Sequence, residues 1–283
     1  MATITEKRAA LAELERLMRG DLDALWRSAG MADDFAAWVI DAFPELVAQY
    51  GGVAADLAAE WYEEAAPALA YQATTAPLPP LEKWAASAAW ALNVGDGASS
   101  LDLLGGTAQR GVFDQYRTTI VLNAQTEGAS YARHASANAC EFCRMLATRG
   151  DVYSSAEGAT RVGGRGKAIA PTMPGKFGRK AGGVRARGKQ AIGDRYHDNC
   201  HCIAVEVRPG TTYEPPPYVA KWQDEYDAAS MIARDVPRTK TTRKGTVVDM
   251  TGAGAGSTKD IQRIMREGVD SRTRAEWLDL LKK

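Results

Sequence analysis

The sequence predicts a mainly α-helical N-terminal region, then a small α+β domain expected to be zinc-stabilised, then a helical C-terminal extension. Three observations carry that expectation. Apolar residues recur at three- and four-residue steps through the first half. Every cysteine and histidine falls within 134–202. Helical patterning then returns near the C-terminus behind a capping-box signal. The corresponding domains are 1–135, 136–210 and 211–283, with a basic loop at 158–195 inside the second.

Residues 3–75 read as helical. Leu11, Leu14, Leu17 and Met18 start a stripe that Leu22 and Leu25 extend, among abundant Ala and Glu. Gly30 and Gly51–Gly52 are the expected breaks, and Pro44 and Pro67 the expected kinks or restarts. The run Ala76-Pro77-Leu78-Pro79-Pro80 excludes helix and reads as a short rigid connector. Helix returns at Leu81–Leu92 and breaks at Asn93–Gly97. From about Ser99 the chain reads as one long helix through Val112, Tyr116, Ile120, Asn123 and Glu127 to His134. Gly105, Gly106 and Gly111 weaken its start. Trp26, Trp38, Trp61, Trp84 and Trp90 are expected to pack the core of this half.

After Asn138 the character changes. Cys140–Met145 reads as a compact turn and Asp151–Ser155 as a short strand. In His201–Arg208, Ile203, Val205 and Val207 alternate with Glu206 and Arg208, the pattern of a half-buried strand. Pro209–Pro217 reads as a linker, and Lys221–Arg234 as a helix. Thr239–Gly256 reads as a loop with a strand at Val247–Met250. Helices follow at Lys259–Glu267 and from Arg274, the last behind Thr273 and Glu276 in capping-box spacing. There is no internal repeat.

Composition is ordinary for a globular protein, 45% hydrophobic and 25% charged. No segment approaches the ~20 apolar residues of a membrane-spanning helix. The N-terminus interleaves acids and bases with its apolar residues, so it predicts a helix rather than a signal peptide, and a soluble protein made in a cytoplasm. The net charge of zero hides an asymmetry. Residues 1–150 hold 11 Lys+Arg against 19 Asp+Glu, a net of −8, and residues 151–283 hold 24 against 16, a net of +8. Such a split suggests different partners for the two halves, one of them anionic; ordinary solvated charge accounts for it equally well.

The four cysteines (Cys140, Cys143, Cys200, Cys202) and three histidines (His134, His197, His201) share 69 of the 283 residues. Cys-x-x-Cys sets two thiolates on one tight turn, and His197 to Cys202 adds two more cysteines with a histidine three residues upstream. Together they offer a tetrahedral zinc set, either four cysteines or three with one histidine. Four protein ligands leave no open position for water, so such a zinc is structural, and it substitutes for apolar core that the module lacks. His201 is expected to point away from the ligands, and His134 to be an ordinary helix residue. Two disulfides, a thioredoxin-like redox pair and four cysteines with no joint role stay open as alternatives. Disulfides lack any sign of secretion, and the redox pair lacks a preceding strand.

Between Arg161 and Arg195, inside the gap between the two halves of this cluster, lie ten cations: Arg161, Arg165, Lys167, Lys176, Arg179, Lys180, Arg185, Arg187, Lys189 and Arg195, with Asp194 the single acid. Nine glycines and two prolines disfavour regular structure there. Cationic loops of this kind bind phosphate backbones by counterion release, without base specificity. Phe177 is the only aromatic, which argues against single-strand stacking. A solubilising insertion is the competing reading.

Cys140-Glu141-Phe142-Cys143 together with Tyr196-His197-Asp198-Asn199-Cys200-His201-Cys202 resembles the phage head-morphogenesis proteins named for the F protein of phage Mu (MuF-like). Cys140, Cys143, His197, Cys200 and Cys202 match that family's Cys-x-x-Cys and His-x-x-Cys-x-Cys pattern position by position. CRMLATRGDVY followed by YHDNCHC looks like versions from tailed phages of actinobacteria. The basic loop makes the spacing longer than in compact members. The resemblance implies a minor capsid protein of the virion, acting in head morphogenesis inside the capsid or at the portal vertex. Its implied partners are portal, scaffold and capsid proteins, with contact to packaged double-stranded DNA. Members are also described as capsid maturation proteases, cleaving scaffold or capsid protein. The sequence holds neither His-Glu-x-x-His nor Gly-x-Ser-x-Gly. Ser154 or Ser155 with His134 or His197, and Cys140 with His197, remain as protease pairings. A stand-alone zinc-containing nucleic-acid-binding protein is the further alternative.

Overall fold

The computed structural model describes residues 1–150, 168–169, 183–184, 200–237, 239–241, 247–249, 251 and 256–282. In chain order the elements begin with α1 (Ile4–Ala29), α2 (Phe35–Glu64), α3 (Leu81–Val94), α4 (Ala98–Glu127), β1 (Ser130–His134) and α5 (Glu141–Ala147). They continue with β2 (Ala168–Ile169), β3 (Gly183–Val184), β4 (Ile203–Val207), α6 (Tyr218–Arg234), β5 (Thr239–Thr241) and β6 (Val247–Asp249). The chain closes with α7 (Thr258–Glu267), a 3-10 turn at Val269–Ser271 and α8 (Arg274–Leu281). The described residues are thus mostly helical, as the sequence predicts. They fall into two compact units, Met1–Ser136 with Gly150 and 200–214, and Ala137–Arg149 with the described parts of Glu157–Arg195 and Pro215–Lys283.

In the first unit α1 opens on a capping box between Thr3 and Glu6 and ends at Gly30. Leu11, Met18 and Leu22 of its stripe are buried, whereas Leu17 is exposed. The Asp34 carboxylate caps α2 by accepting from the Ala37 N–H at 3.0 Å. This helix runs unbroken through Pro44 and Gly51–Gly52, where the sequence predicts interruption. A helix-interior proline costs about 3 kcal/mol, and burial along α2 offsets it. Gly51 lets α2 approach the Leu78 and Gln115 side chains. The helix stops at Glu64, so 65–75 is not helical as expected.

The connector that follows is held by a polar row on α4. The Asn123 side chain accepts from the Thr74 N–H and donates to the Thr74 carbonyl, at 2.9 and 2.8 Å. Thr119 accepts from the Ala76 N–H at 3.0 Å, and Gln115 donates to the Ala76 carbonyl at 2.7 Å. Residues 115, 119 and 123 share one helix face, so α4 pairs with this extended backbone much as a neighbouring strand would.

α4 packs against α1, α2, α3, β1 and β4, and buries Leu104, Ala108, Val112, Tyr116, Ile120 and Ala124. It ends at Gly128, whose left-handed φ of 75° terminates the helix. Residues 130–134 therefore form β1, and His134 is a strand residue rather than the helical one predicted. Of the tryptophans, Trp61 and Trp84 are buried and Trp26 is half-buried against Phe35, whereas Trp38 and Trp90 are exposed.

β1 pairs antiparallel with β4, from Ser130 opposite Val207 to His134 opposite Ile203. β4 is buried on both faces, which corrects the half-buried expectation. The reason is electrostatic: Glu206 is ion-paired with Lys7, both side chains below 5% exposed, and Arg208 with Glu127. Charge that reads as a solvent face in the sequence is interior because it is paired.

In the second unit α6 packs against α5, α7 and α8. Trp222, Ala229, Ile261, Ile264, Met265 and Trp277 form its core, and Thr273 with Glu276 makes the predicted capping box. β5 and β6 pair antiparallel, so the predicted strand gains a partner in 239–241. β2 and β3 make a two-residue antiparallel ladder inside the glycine-rich stretch. The strand predicted at Asp151–Ser155 lies outside the described residues.

Candidate metal centre

Cys200 and Cys202 precede β4, and both are buried. The pairing with β1 stops at Ile203, so the carbonyls of the two cysteines lie beyond the ladder. α4 receives them. Gln109 donates to the Cys200 carbonyl at 3.0 Å. Arg117 donates through Nε to the Cys202 carbonyl at 2.7 Å and through Nη2 to the Cys200 carbonyl at 2.5 Å. Its remaining nitrogen meets Asp114 at 2.9 Å, and its plane covers the Phe113 ring at 5.2 Å.

His201 turns the other way, as expected. Its Nε2 lies 2.8 Å from a Glu15 oxygen, and its ring meets Phe113 edge-on at 5.3 Å. The hydrogen bond to Glu15 holds the imidazole above the ordinary histidine range, against the opposing pull of burial.

The Cys-x-x-Cys pair is helical rather than a bare turn. Cys140 is the N-cap of α5 and Cys143 is its third residue, the two positions that a capping box brings together. Cys143 is buried and Cys140 half-buried, and none of the four cysteines is in a disulfide.

Cys200 and Cys202 bring two buried thiols to the first unit, and Cys143 a third to the second. Soft thiols are the donor type that zinc prefers. His197, Ser154 and Ser155 lie outside the described residues, as do all ten cations of the basic loop, from Arg161 to Arg195. His134 sits in β1 with Nδ1 3.1 Å from the Tyr213 hydroxyl.

Sequence reasoning missed Gln109, Arg117 and Glu15. No local motif marks them. The available signal was polar residues at positions of α1 and α4 that the apolar periodicity turns inward.

These features define a mainly helical protein with a small two-stranded sheet and buried cysteines of the type that hold a metal. The chain belongs to the VG15 protein family, whose model matches residues 1–229 and so includes all four cysteines. That membership points to a phage-encoded, virion-associated protein. Neither the comparison with curated proteins nor that with solved structures returns a match. Among the described residues no helix is long and apolar enough to cross a membrane.

Proposed function

We propose that this chain is a MuF-like minor capsid protein that acts in head morphogenesis at the portal vertex, with a structural zinc holding its cysteine module together. The observation that carries the reading is the pair of spacings, Cys-x-x-Cys and His-x-x-Cys-x-Cys, with Cys143, Cys200 and Cys202 buried, in a chain of a phage virion family. The ligands in this proposal are Cys143, Cys200 and Cys202, with Cys140 or His197 as the fourth. Zinc supplies a crosslink between segments distant in sequence, and a closed four-ligand site has no position for a reacting water. The role proposed is therefore architectural, with portal, scaffold or capsid protein as the partner.

In the same reading the ten loop cations contact packaged double-stranded DNA through its phosphates. Binding of that kind weakens steeply with salt and is indifferent to sequence.

The test is metal analysis of the purified chain, followed by capture on the portal protein of the same phage. About one zinc per chain, lost in Cys143→Ser and Cys200→Ser together with portal binding, is the expected result. A metal-free, folded wild-type chain that cleaves scaffold or capsid protein would move the assignment to the maturation protease. DNA binding without portal binding would favour the stand-alone nucleic-acid-binding alternative.

A further inference from the structure

We infer that Gln109 and Arg117 of α4 are positioning residues for the metal, holding the Cys200–Cys202 arm in its ligating shape before any ion arrives. The inference rests on the zinc reading above. Its structural basis lies within the first unit.

The arm leads directly into β4, whose ladder ends at Ile203 opposite His134. Three donors from α4 hold its backbone, two on the Cys200 carbonyl and one on the Cys202 carbonyl. Both α4 side chains are themselves buried, Gln109 at 0% and Arg117 at 2% exposure, so their positions are set by packing. Arg117 is further fixed by Asp114 and by the face of Phe113. Between the two held carbonyls His201 is drawn off to Glu15, which turns the intervening side chain away from the cysteines. Alternate residues of an extended segment share one side, so fixing residues 200 and 202 by their backbones aims both thiols the same way.

A rigid fork explains the choice of arginine. Two of its nitrogens reach two carbonyls two residues apart while a third meets Asp114, a geometry that lysine cannot copy. Groups that orient metal ligands in this way typically change metal affinity by about 10–100-fold when removed.

The experiment uses the full chain, with cobalt(II) and zinc affinity measured by competition against a chelating dye, and with the cobalt absorption spectrum recorded. Arg117→Lys and Gln109→Met are compared with Gly111→Ala, a helix-packing change on α4 that touches none of the arm. About 10–100-fold weaker binding in Arg117→Lys and Gln109→Met, with Gly111→Ala near wild type, is expected. An altered cobalt spectrum in Arg117→Lys would reinforce it. Equal affinity in all four folded proteins overturns the positioning role while leaving the zinc site intact. A wild-type chain that binds neither metal overturns both. Should Arg117→Lys fail to fold by circular dichroism, Gln109→Met, which removes one neutral donor, decides the matter.

Discussion

Arg208 and Glu127 form a bidentate ion pair, Nε to Oε2 at 2.8 Å and Nη2 to Oε1 at 2.5 Å, with the arginine side chain wholly buried. The third nitrogen donates to the carbonyls of Tyr62, Glu63 and Ala66 at 3.1, 3.3 and 3.3 Å. Those carbonyls belong to the end of α2, where a helix has no partners of its own to offer. The guanidinium also lies 4.8 Å over the Tyr62 ring, whose hydroxyl donates to Glu127 at 2.7 Å. One side chain from the end of β4 thus satisfies the last turn of α2 and pairs with the last turn of α4.

Removing the fork is therefore expected to be costly. Arg208→Met leaves Glu127 without its cation and the α2 carbonyls without their donor, a loss of about 3–5 kcal/mol. Arg208→Lys should recover less than half of it, because an ammonium cannot serve the carboxylate and the helix end together. Urea unfolding of both variants is the measurement, and a lysine variant within ~1 kcal/mol of wild type would refute the account. The hydrogen bond from Arg208 keeps the Glu127 carboxyl below its ordinary range. The stability it contributes is present above the unfolded value and lost as pH falls through the lowered one.

His134 predicts a second acid sensitivity in a different window. Burial, reinforced by the charge of Arg8, pushes its pKa down from 6.5 to about 4. The neutral ring is the form the fold accepts, with Tyr213 as its hydrogen-bond partner. Its contribution is complete above pH 6.5 and declines as pH falls toward 4, by about 3 kcal/mol in all. Urea titrations at stepped pH should show that slope in wild type and a shallower one in His134→Gln. Parallel slopes would assign the acid sensitivity to other groups.

Asn123 is expected to be the least replaceable polar residue of α4. Its amide also donates to the Thr119 carbonyl at 2.8 Å, and its oxygen also accepts from the Tyr71 hydroxyl at 2.9 Å. Asn123→Leu removes both partners of the part-buried Thr74 backbone and the partner of the Tyr71 hydroxyl, and should cost about 1–3 kcal/mol. Asn123→Asp keeps the acceptor and loses the donor, so it should rescue poorly. Thermal unfolding separates the two, and faster proteolysis at 65–80 is the expected local signature.

Much of the helical half was legible because its signals are local. Thr273 with Glu276 and the APLPP run each act within a few residues, and each has the predicted outcome. What could not be read depends on partners far away in sequence. Pro44 and Gly51 look like breaks until burial against other elements outweighs their propensity. Glu206 and Arg208 look like a solvent face until Lys7 and Glu127 arrive from residues 81 or more away. At the metal centre the cysteines announced themselves by spacing, whereas Gln109 and Arg117 act over 83–91 residues and carry no motif.

The proposed ligand set makes an asymmetric prediction. Cys143→Ser, Cys200→Ser and Cys202→Ser should each abolish stoichiometric zinc, because all three belong to the proposed ligand set. Of Cys140→Ser and His197→Gln, only one should do so, since a tetrahedral site has a single place left. Zinc analysis of the five variants checks this, and full zinc in any of the first three removes that cysteine from the set.

Two glycines of α4 should respond to alanine in opposite ways, although a helix propensity scale treats them alike. At Gly111 a Cβ would lie 2.5 Å from Cγ1 of Val47 and 3.5 Å from Nε1 of Trp84. Val47 is β-branched, buried and held within α2, so it has no rotamer into which to retreat. Gly111→Ala should therefore lose about 1–3 kcal/mol to overpacking, even after the helix propensity gain. At Gly105 the atom met is the guanidinium end of Arg19, the far end of a flexible, partly exposed side chain. Gly105→Ala should then keep most of the ~1 kcal/mol that alanine gains over glycine inside a helix. Chemical denaturation of the two variants decides it. Equal shifts of the same sign would mean that α4 and α2 do not approach as closely at Gly111 as the Val47 contact requires.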